Sequence, residues 1–140
     1  MRYLLMTLLV ACAGQQKFHA KMDVAQEIPP PNVGSATPSG TVEFTAEGGK
    51  IAYELTVSGL SSPFTAAHIH GGAEGALGLV VVPLELGKGV IETSMIKGTN
   101  PDASQMTMAN LLAAMQSGGC YVNVHTQGNP KGEIRGQVRP

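Results

Sequence analysis

Three of the four histidines in this 140-residue chain stand in two short segments with the pattern of β-strands. Residues 67–70 read Ala-His-Ile-His, and residues 121–125 read Tyr-Val-Asn-Val-His. Because side chains alternate along a strand, His68 and His70 share one face, and His125 lies on the face opposite two valines. If the two strands are neighbours, the three imidazoles reach one point. Neutral imidazole is a good ligand for copper and zinc, so we predict a metal site at His68, His70 and His125.

Other residues in these strands are predicted to support the histidines. Tyr121 and Asn123 share the face of His125, and Asn123 is placed to orient an imidazole. Arg135 belongs to a later strand, where the pattern favours an ion pair or a network between strands. A position near the metal, where Arg135 would attract an anion, is the alternative. The glycine-rich loop at 71–78 would allow the backbone to fold over the site.

The elements that position these residues are short strands separated by turn residues. Apolar and polar residues alternate from Phe18 to Val24, from Thr41 to Ala46 and from Ile51 to Val57, as in half-buried strands. Gly48-Gly49 supplies the tight turn of a hairpin. Residues 79–84 are apolar throughout, which predicts a strand covered on both faces. Further strands are predicted over residues 66–70, 120–125 and 133–138.

One segment has helical rather than strand periodicity. Met108, Leu111, Leu112 and Met115 follow the spacing of one helix face, and Gly118-Gly119 supplies the C-terminal stop. Together the patterns predict an all-β fold, an antiparallel Greek-key-type sandwich or barrel of about seven to eight strands with one short helix.

The composition limits the class of protein. Gly and Pro are frequent, at 18 and 9 residues, whereas charged residues make up only 14% of the chain and the net charge is −1. The length is sufficient for one domain, which we place at residues 14–140. Lys and Arg are scattered without a basic run, so a nucleic-acid partner is not expected. The composition also excludes a membrane channel, a coiled coil and a disulfide scaffold.

Residues 1–13 have the pattern of an export signal. Arg2 is followed by an apolar run from Leu4 to Cys12 that is too short to span a bilayer. The run ends in Leu-Val-Ala-Cys, a lipobox pattern that predicts a lipid anchor on Cys12 and a periplasmic or cell-surface location. Ordinary signal cleavage before Gly14 is the alternative. Cys120 would then be the one thiol of the exported domain, and we expect it to be buried and inert.

Several motifs together resemble the CHRD domain family. They are Gln26–Pro30, Ala66–Gly71 and Tyr121–Thr126, together with Asn129-Pro130 and the run 132–137. The resemblance extends from about Phe18 to Val138. It implies an exported protein with an all-β, immunoglobulin-like or barrel fold, and it implies no settled activity.

The site alone has a weaker similarity to the copper half of Cu/Zn superoxide dismutases. The similarity implies copper, rather than zinc, on His68, His70 and His125. The chain departs from that pattern because it has no bridging histidine, no second cluster of zinc ligands and no paired cysteines. His19, in a separate strand, is interpreted as a surface residue.

Two functions follow as hypotheses. The first is an exported domain that binds a single copper ion, either for copper handling or for redox chemistry on a small oxidant such as superoxide; enzymatic turnover is left open. The second is a metal-free interaction module of the cell surface or matrix, in which the three histidines are surface or hydrogen-bonded residues.

Overall fold

The computed structural model describes residues 14–99 and 105–140, and the fold is given for these residues. They form eight β-strands, one α-helix and a single 3-10 turn at Thr93–Met95. The elements are β1 (Gln16–Asp23), β2 (Ser39–Glu47), β3 (Lys50–Ser58), β4 (Phe64–Gly71), β5 (Val80–Leu84), β6 (Gly87–Ile91), α1 (Met108–Ser117), β7 (Cys120–Thr126) and β8 (Ile134–Gln137). The prediction of an all-β fold with one short helix is confirmed. The signal predicted at residues 1–13, with Cys12, lies outside the described residues.

The strands form one antiparallel sheet that curls into a nearly closed barrel. Their order is β5-β4-β7-β8-β1-β2-β3-β6. The two edge strands, β5 and β6, are consecutive in the chain and only Glu85 and Leu86 separate them. The sheet must therefore curve until its edges approach each other. The Tyr53 hydroxyl of β3 contributes by accepting a hydrogen bond from the Glu85 N–H at 3.0 Å.

β6 was not among the strands that the sequence patterns predict. Its sequence, Gly-Lys-Gly-Val-Ile, contains two glycines and little alternation. The strand forms because it pairs with β3, from Ile51 opposite Ile91 to Leu55 opposite Gly87. Long-range pairing overrides the weak local preference of this segment for a strand.

The interior of the barrel is an apolar core built by strand alternation. Three alternate residues of each of β1, β2 and β3 are buried there, in agreement with the alternating pattern. Phe18, Val42 and Ile51 are among these residues, and each is no more than 1% exposed. β4 and β7 add Ile69 and Val122, which are opposite each other in the register. The histidines of β4 therefore point away from this core.

The helix closes one end of the fold and follows its predicted pattern. Leu111 and Met115 are buried, and Thr107 and Asn110 form a reciprocal capping box at the N-terminus. Gly118 has a φ of 73°, the left-handed conformation that commonly ends a helix. Among residues 14–99 and 105–140, no helix has the length and hydropathy needed to cross a bilayer.

The prediction for residues 79–84 is wrong in one respect. β5 is an edge strand whose two faces are covered at Val81 and Val82 but not along its whole length. Leu79 is 66% exposed, Val80 and Pro83 are exposed as well, and Val81 and Val82 are buried. A proline without an N–H fits an edge strand, and the apolar run alone could not distinguish an edge from a centre.

The opposite face of β4, β7 and β8 is partly to fully buried, although most of its side chains are polar. Residues 72–78 cover part of it, because Gln137 donates to the Gly72 carbonyl at 2.8 Å and Arg135 donates to the Ala73 carbonyl at 3.1 Å. A second covering segment follows β1, where the Gln26 side chain accepts a hydrogen bond from the Gln137 N–H. The sheet therefore has two buried layers here, one apolar and one polar.

Gly136 is the position in β8 where an added methyl group should disturb this packing most. A Cβ at Gly136 would collide with the backbone carbonyl of Lys21 in the neighbouring β1. We expect Gly136→Ala to lower the free energy of unfolding by about 1–3 kcal/mol, measured by urea denaturation. Gly71→Ala is the matched control, because a Cβ there meets only Val81 at 3.8 Å. Equal losses of stability in the two variants would contradict this account.

Candidate metal centre

The three predicted histidines meet on the polar face of β4 and β7. These strands are antiparallel neighbours, with His68 opposite Asn123 and His70 opposite Tyr121. His125 lies opposite Ala66, one register step from His68 on the same face. All three imidazoles are partly buried. Strand alternation and this register together bring the imidazoles to one point.

The spacing of the ring nitrogens is that of a ligand set. One ring nitrogen from each histidine lies within 4.8 Å of the others. His68 Nδ1 and His125 Nε2 are 3.1 Å apart. Two nitrogens bound tetrahedrally to one zinc ion, at about 2.0–2.1 Å, would be about 3.3–3.4 Å apart. Small side-chain movements therefore suffice to place all three nitrogens around one ion.

Backbone carbonyls fix the orientation of two of the rings. His70 Nδ1 is 2.9 Å from the Gly78 carbonyl oxygen, and His125 Nδ1 is 3.0 Å from that of Pro130. Because a carbonyl oxygen only accepts, each Nδ1 carries the proton and each Nε2 of the neutral ring has a free lone pair. A hydrogen bond of this kind on the outer nitrogen is usual for histidines that bind metals.

The inner nitrogens differ in their partners. His70 Nε2 is buried and has no hydrogen-bond partner. His125 Nε2 carries a lone pair, so His68 Nδ1 donates to it across the 3.1 Å contact in the metal-free protein. A metal ion would replace that proton and would also satisfy the orphaned Nε2 of His70. The residues therefore fit a bound metal.

Burial keeps these imidazoles in the form that binds metals. Desolvation is the largest cause that lowers the pKa of His68, His70 and His125. Repulsion from His125 and His70 lowers the pKa of His68 further. The hydrogen bonds to the Gly78 and Pro130 carbonyls oppose the fall in the pKa of His70 and His125 without reversing it. The rings are neutral at pH 7, as a ligand must be.

Tyr121 holds His70 in place from the side. The two rings are stacked, with centroids 5.0 Å apart and planes within 8° of each other. The Arg135 guanidinium lies over the Tyr121 ring at 3.5 Å from its centroid, a cation–π contact. The Tyr121 hydroxyl accepts a hydrogen bond from the Gly78 N–H, at 3.2 Å. Tyr121 therefore links the ligand, the buried cation and the loop whose carbonyl orients the ligand.

The segment that orients His125 is anchored by a buried carboxylate. Glu133 accepts hydrogen bonds from the Ser61 N–H and hydroxyl, from the Thr126 hydroxyl and from the Asn129 amide, at 2.6–2.9 Å. Burial alone would raise the pKa of Glu133, but these hydrogen bonds outweigh it and hold the pKa below its ordinary value. The network fixes residues 126–133, which carry the Pro130 carbonyl.

Arg135 makes a backbone contact rather than the ion pair that is one form of the favoured prediction. No ion pair links it to Glu133 among the residues that the structure describes. It is 1% exposed, donates to the Ala73 carbonyl and lies close enough to His70 for its charge to lower the pKa of that ring. Arg135 thus lies near His70 and also holds the backbone at Ala73, while a role for it at a metal stays a prediction.

Glu27 is the site residue that the sequence patterns did not single out. It is 3% exposed and packs directly against Gly132, whose φ of +125° and lack of a Cβ leave room for the carboxyl group. Asn123 and Arg135 both interact with it. A charged residue just before three prolines, inside the quoted motif Gln26–Pro30, was the signal that could have identified it.

Two other residues lie outside the cluster. The backbone of His19 forms an antiparallel bridge with Arg139. His19 does not belong to the cluster of three histidines. Cys120 is buried, and burial raises its pKa to about 12. A thiol with so high a pKa is not a nucleophile at neutral pH, in agreement with the prediction of an inert cysteine.

Comparison with known proteins places most of the chain in one family. The family model described as the CHRD domain matches residues 18–138. No curated protein and no solved structure is significantly similar to the chain.

The burial of the site predicts how the histidines titrate. In the metal-free protein we expect the pKa of His68, His70 and His125 to lie below the ordinary value of 6.5, measured by NMR of the ring C–H groups. The unfolded chain then takes up protons first, so the contribution of these rings to stability falls as the pH drops through about 6.5. The urea-unfolded protein is the control. Values at or above 6.5 in the folded protein would contradict the prediction.

Proposed function

The chain belongs to the CHRD domain family, and we propose that it is an exported domain that binds one copper ion through His68, His70 and His125. The observation that carries the proposal is the buried, unpartnered Nε2 of His70. Its ring is held by a carbonyl and an aromatic stack, and two more imidazole nitrogens lie within 4.8 Å. A metal ion would remove the desolvation penalty of that lone pair.

The choice of copper rests on the donor set. Among residues 14–99 and 105–140, the group close enough to hold an ion consists of three histidines, with no carboxylate and no thiolate. Neutral imidazole suits both copper and zinc, and affinity for divalent ions at such a site is greatest for Cu²⁺. The similarity of the His-x-His strand to the copper half of Cu/Zn superoxide dismutases agrees with this choice.

The surrounding residues would serve the ion by holding its ligands and excluding water. The Gly78 and Pro130 carbonyls keep the ring protons on the outer nitrogens, and Tyr121 restricts the rotation of His70. Bound copper would supply one-electron redox chemistry. A superoxide consumption assay of the loaded protein distinguishes such chemistry from copper handling alone.

A metal-free interaction module is the second candidate function, because one surface is unusually apolar. Leu77 and Leu79 are 67% and 66% exposed, and both line a groove of about 720 Å³ beside α1. Exposed apolar residues gathered in one groove are typical of binding surfaces. The copper measurements below decide between the two functions.

Copper titration tests the metal site. We expect the purified protein, without a histidine tag, to bind one Cu(II) per chain and to show nitrogen hyperfine structure in its electron paramagnetic resonance spectrum. His70→Ala should weaken binding by at least about 100-fold, since loss of even an outer contact typically costs 10–100-fold. His19→Ala is the matched control, because it removes a histidine that lies outside the cluster.

Two outcomes of the titration would contradict the proposal. Substoichiometric copper, with a spectrum that neither His70→Ala nor His125→Ala changes, would exclude the metal function and favour the interaction module. Equal effects of His19→Ala and His70→Ala would show that copper binds non-specifically to exposed imidazoles.

Export has a separate test at Cys12. In a bacterial host we expect the protein to fractionate with membranes and to carry a lipid on Cys12, detected by mass spectrometry. Cys12→Ala should release it from the membrane fraction, because acyl chains supply the binding energy. Cys120→Ala is the matched control, since that thiol is buried in the domain. Cleavage before Gly14 without a lipid would support the ordinary signal instead.

A further inference from the structure

Four buried side-chain atoms of the described residues have no hydrogen-bond partner, and all four belong to the polar layer. They are Glu27 Oε2, His70 Nε2, Asn123 Oδ1 and Arg135 Nη1. The proposed metal accounts for His70 Nε2. The other three belong to side chains that are 3%, 4% and 1% exposed, for Glu27, Asn123 and Arg135 respectively. A metal on the histidines leaves these three atoms unexplained.

These three side chains surround one place. Asn123 is opposite Arg135 in the register of β7 and β8. Asn123 and Arg135 both act on the pKa of the Glu27 carboxyl, and both act on the pKa of the His70 ring. Asn123 and Arg135 are therefore close to both Glu27 and His70.

Without a hydrogen-bond partner, these three buried atoms would lower the stability of the folded protein. A buried polar atom without a partner costs about 1–3 kcal/mol, and more when the group is charged. Arg135 Nη1 offers a donor, whereas Glu27 Oε2 and Asn123 Oδ1 offer acceptors. The Asn123 side chain hydrogen-bonds to the Glu27 carboxyl, but Glu27 Oε2, Asn123 Oδ1 and Arg135 Nη1 themselves have no partner. One molecule that accepts one hydrogen bond and donates two would satisfy all three atoms.

We propose that Glu27, Asn123 and Arg135 form a second binding site, beside His70, for one neutral, water-sized molecule with O–H donors and an oxygen acceptor. Water is its resident occupant. Buried waters typically make about three hydrogen bonds to polar groups that would otherwise be unpaired, which is the number that this site provides.

Charge restricts the occupant to this class, and the packing around Glu27 is close. An anion would face the acceptor oxygens of Glu27 and Asn123, and a cation would face the Arg135 guanidinium. Glu27 lies directly against Gly132, so a side chain at position 132 would already collide with the carboxyl group. The site therefore favours a small, neutral molecule. Its position would place a hydrogen-bond donor next to a ligand of the proposed metal.

The proposal stands apart from metal binding and is tested on the metal-free protein. Oxygen-17 relaxation dispersion detects water molecules that stay inside a protein far longer than surface water. We expect Glu27→Leu to reduce the dispersion amplitude by that of about one water, whereas Glu27→Gln, which keeps a polar oxygen, retains it. Glu43→Leu is the matched control, because Glu43 is an exposed glutamate of β2 and its removal should change nothing.

A crystal structure of the metal-free wild-type protein provides the second measurement, which applies even if Glu27→Leu does not fold. We expect a density peak within hydrogen-bond distance of Glu27 Oε2, Asn123 Oδ1 and Arg135 Nη1. Direct hydrogen bonds that join these three atoms to one another, with no peak between them, would overturn the proposal. So would equal dispersion amplitudes in folded Glu27→Leu and wild type. Failure of copper binding would leave both results unaffected.

Discussion

The structure depends on the burial of a polar sheet face. On β4, β7 and β8 the outer side chains are polar, yet two covering segments exclude most of the solvent from them. Buried polar groups must find partners, so the coverings have to supply hydrogen bonds as well as contact area. Glu133 shows how completely this can be met, since four hydrogen bonds from three residues surround its carboxylate. That network ties the end of β7 to Ser61.

The properties of the histidine cluster follow from the same covering segments. Their bulk desolvates the rings, which lowers the pKa of each ring. Their carbonyls at Gly78 and Pro130 orient two of the rings and leave the inner nitrogens with free lone pairs. The covering segments therefore provide the neutral charge state, the tautomer and the rigidity that a set of metal ligands requires.

The sequence predicts this cluster more completely than its surroundings, and the reason is physical. Alternation along a strand is a local rule, so the shared face of His68 and His70 could be predicted without knowing the fold. The predicted cluster is conditional on the pairing of these two strands, and the register of β4 with β7 meets that condition. The covering contacts join residues far apart in the chain, such as Glu27 with Gly132 and Ser61 with Glu133, and no local period encodes them. The exposure of Leu79 could not be predicted locally either, because it depends on the position of β5 at the edge of the sheet.

The position of the site within the barrel can also be argued. The outer faces of β2 and β3 are exposed, and their side chains alternate regularly between core and solvent. Histidines placed there would be hydrated and mobile. Within residues 14–99 and 105–140, β4, β7 and β8 have an apolar core on one side and a polar cover on the other, and this partial burial can hold three imidazoles in place. The same covering segments also enclose Glu27 and Arg135, so these two charged side chains are buried beside the partly buried histidines.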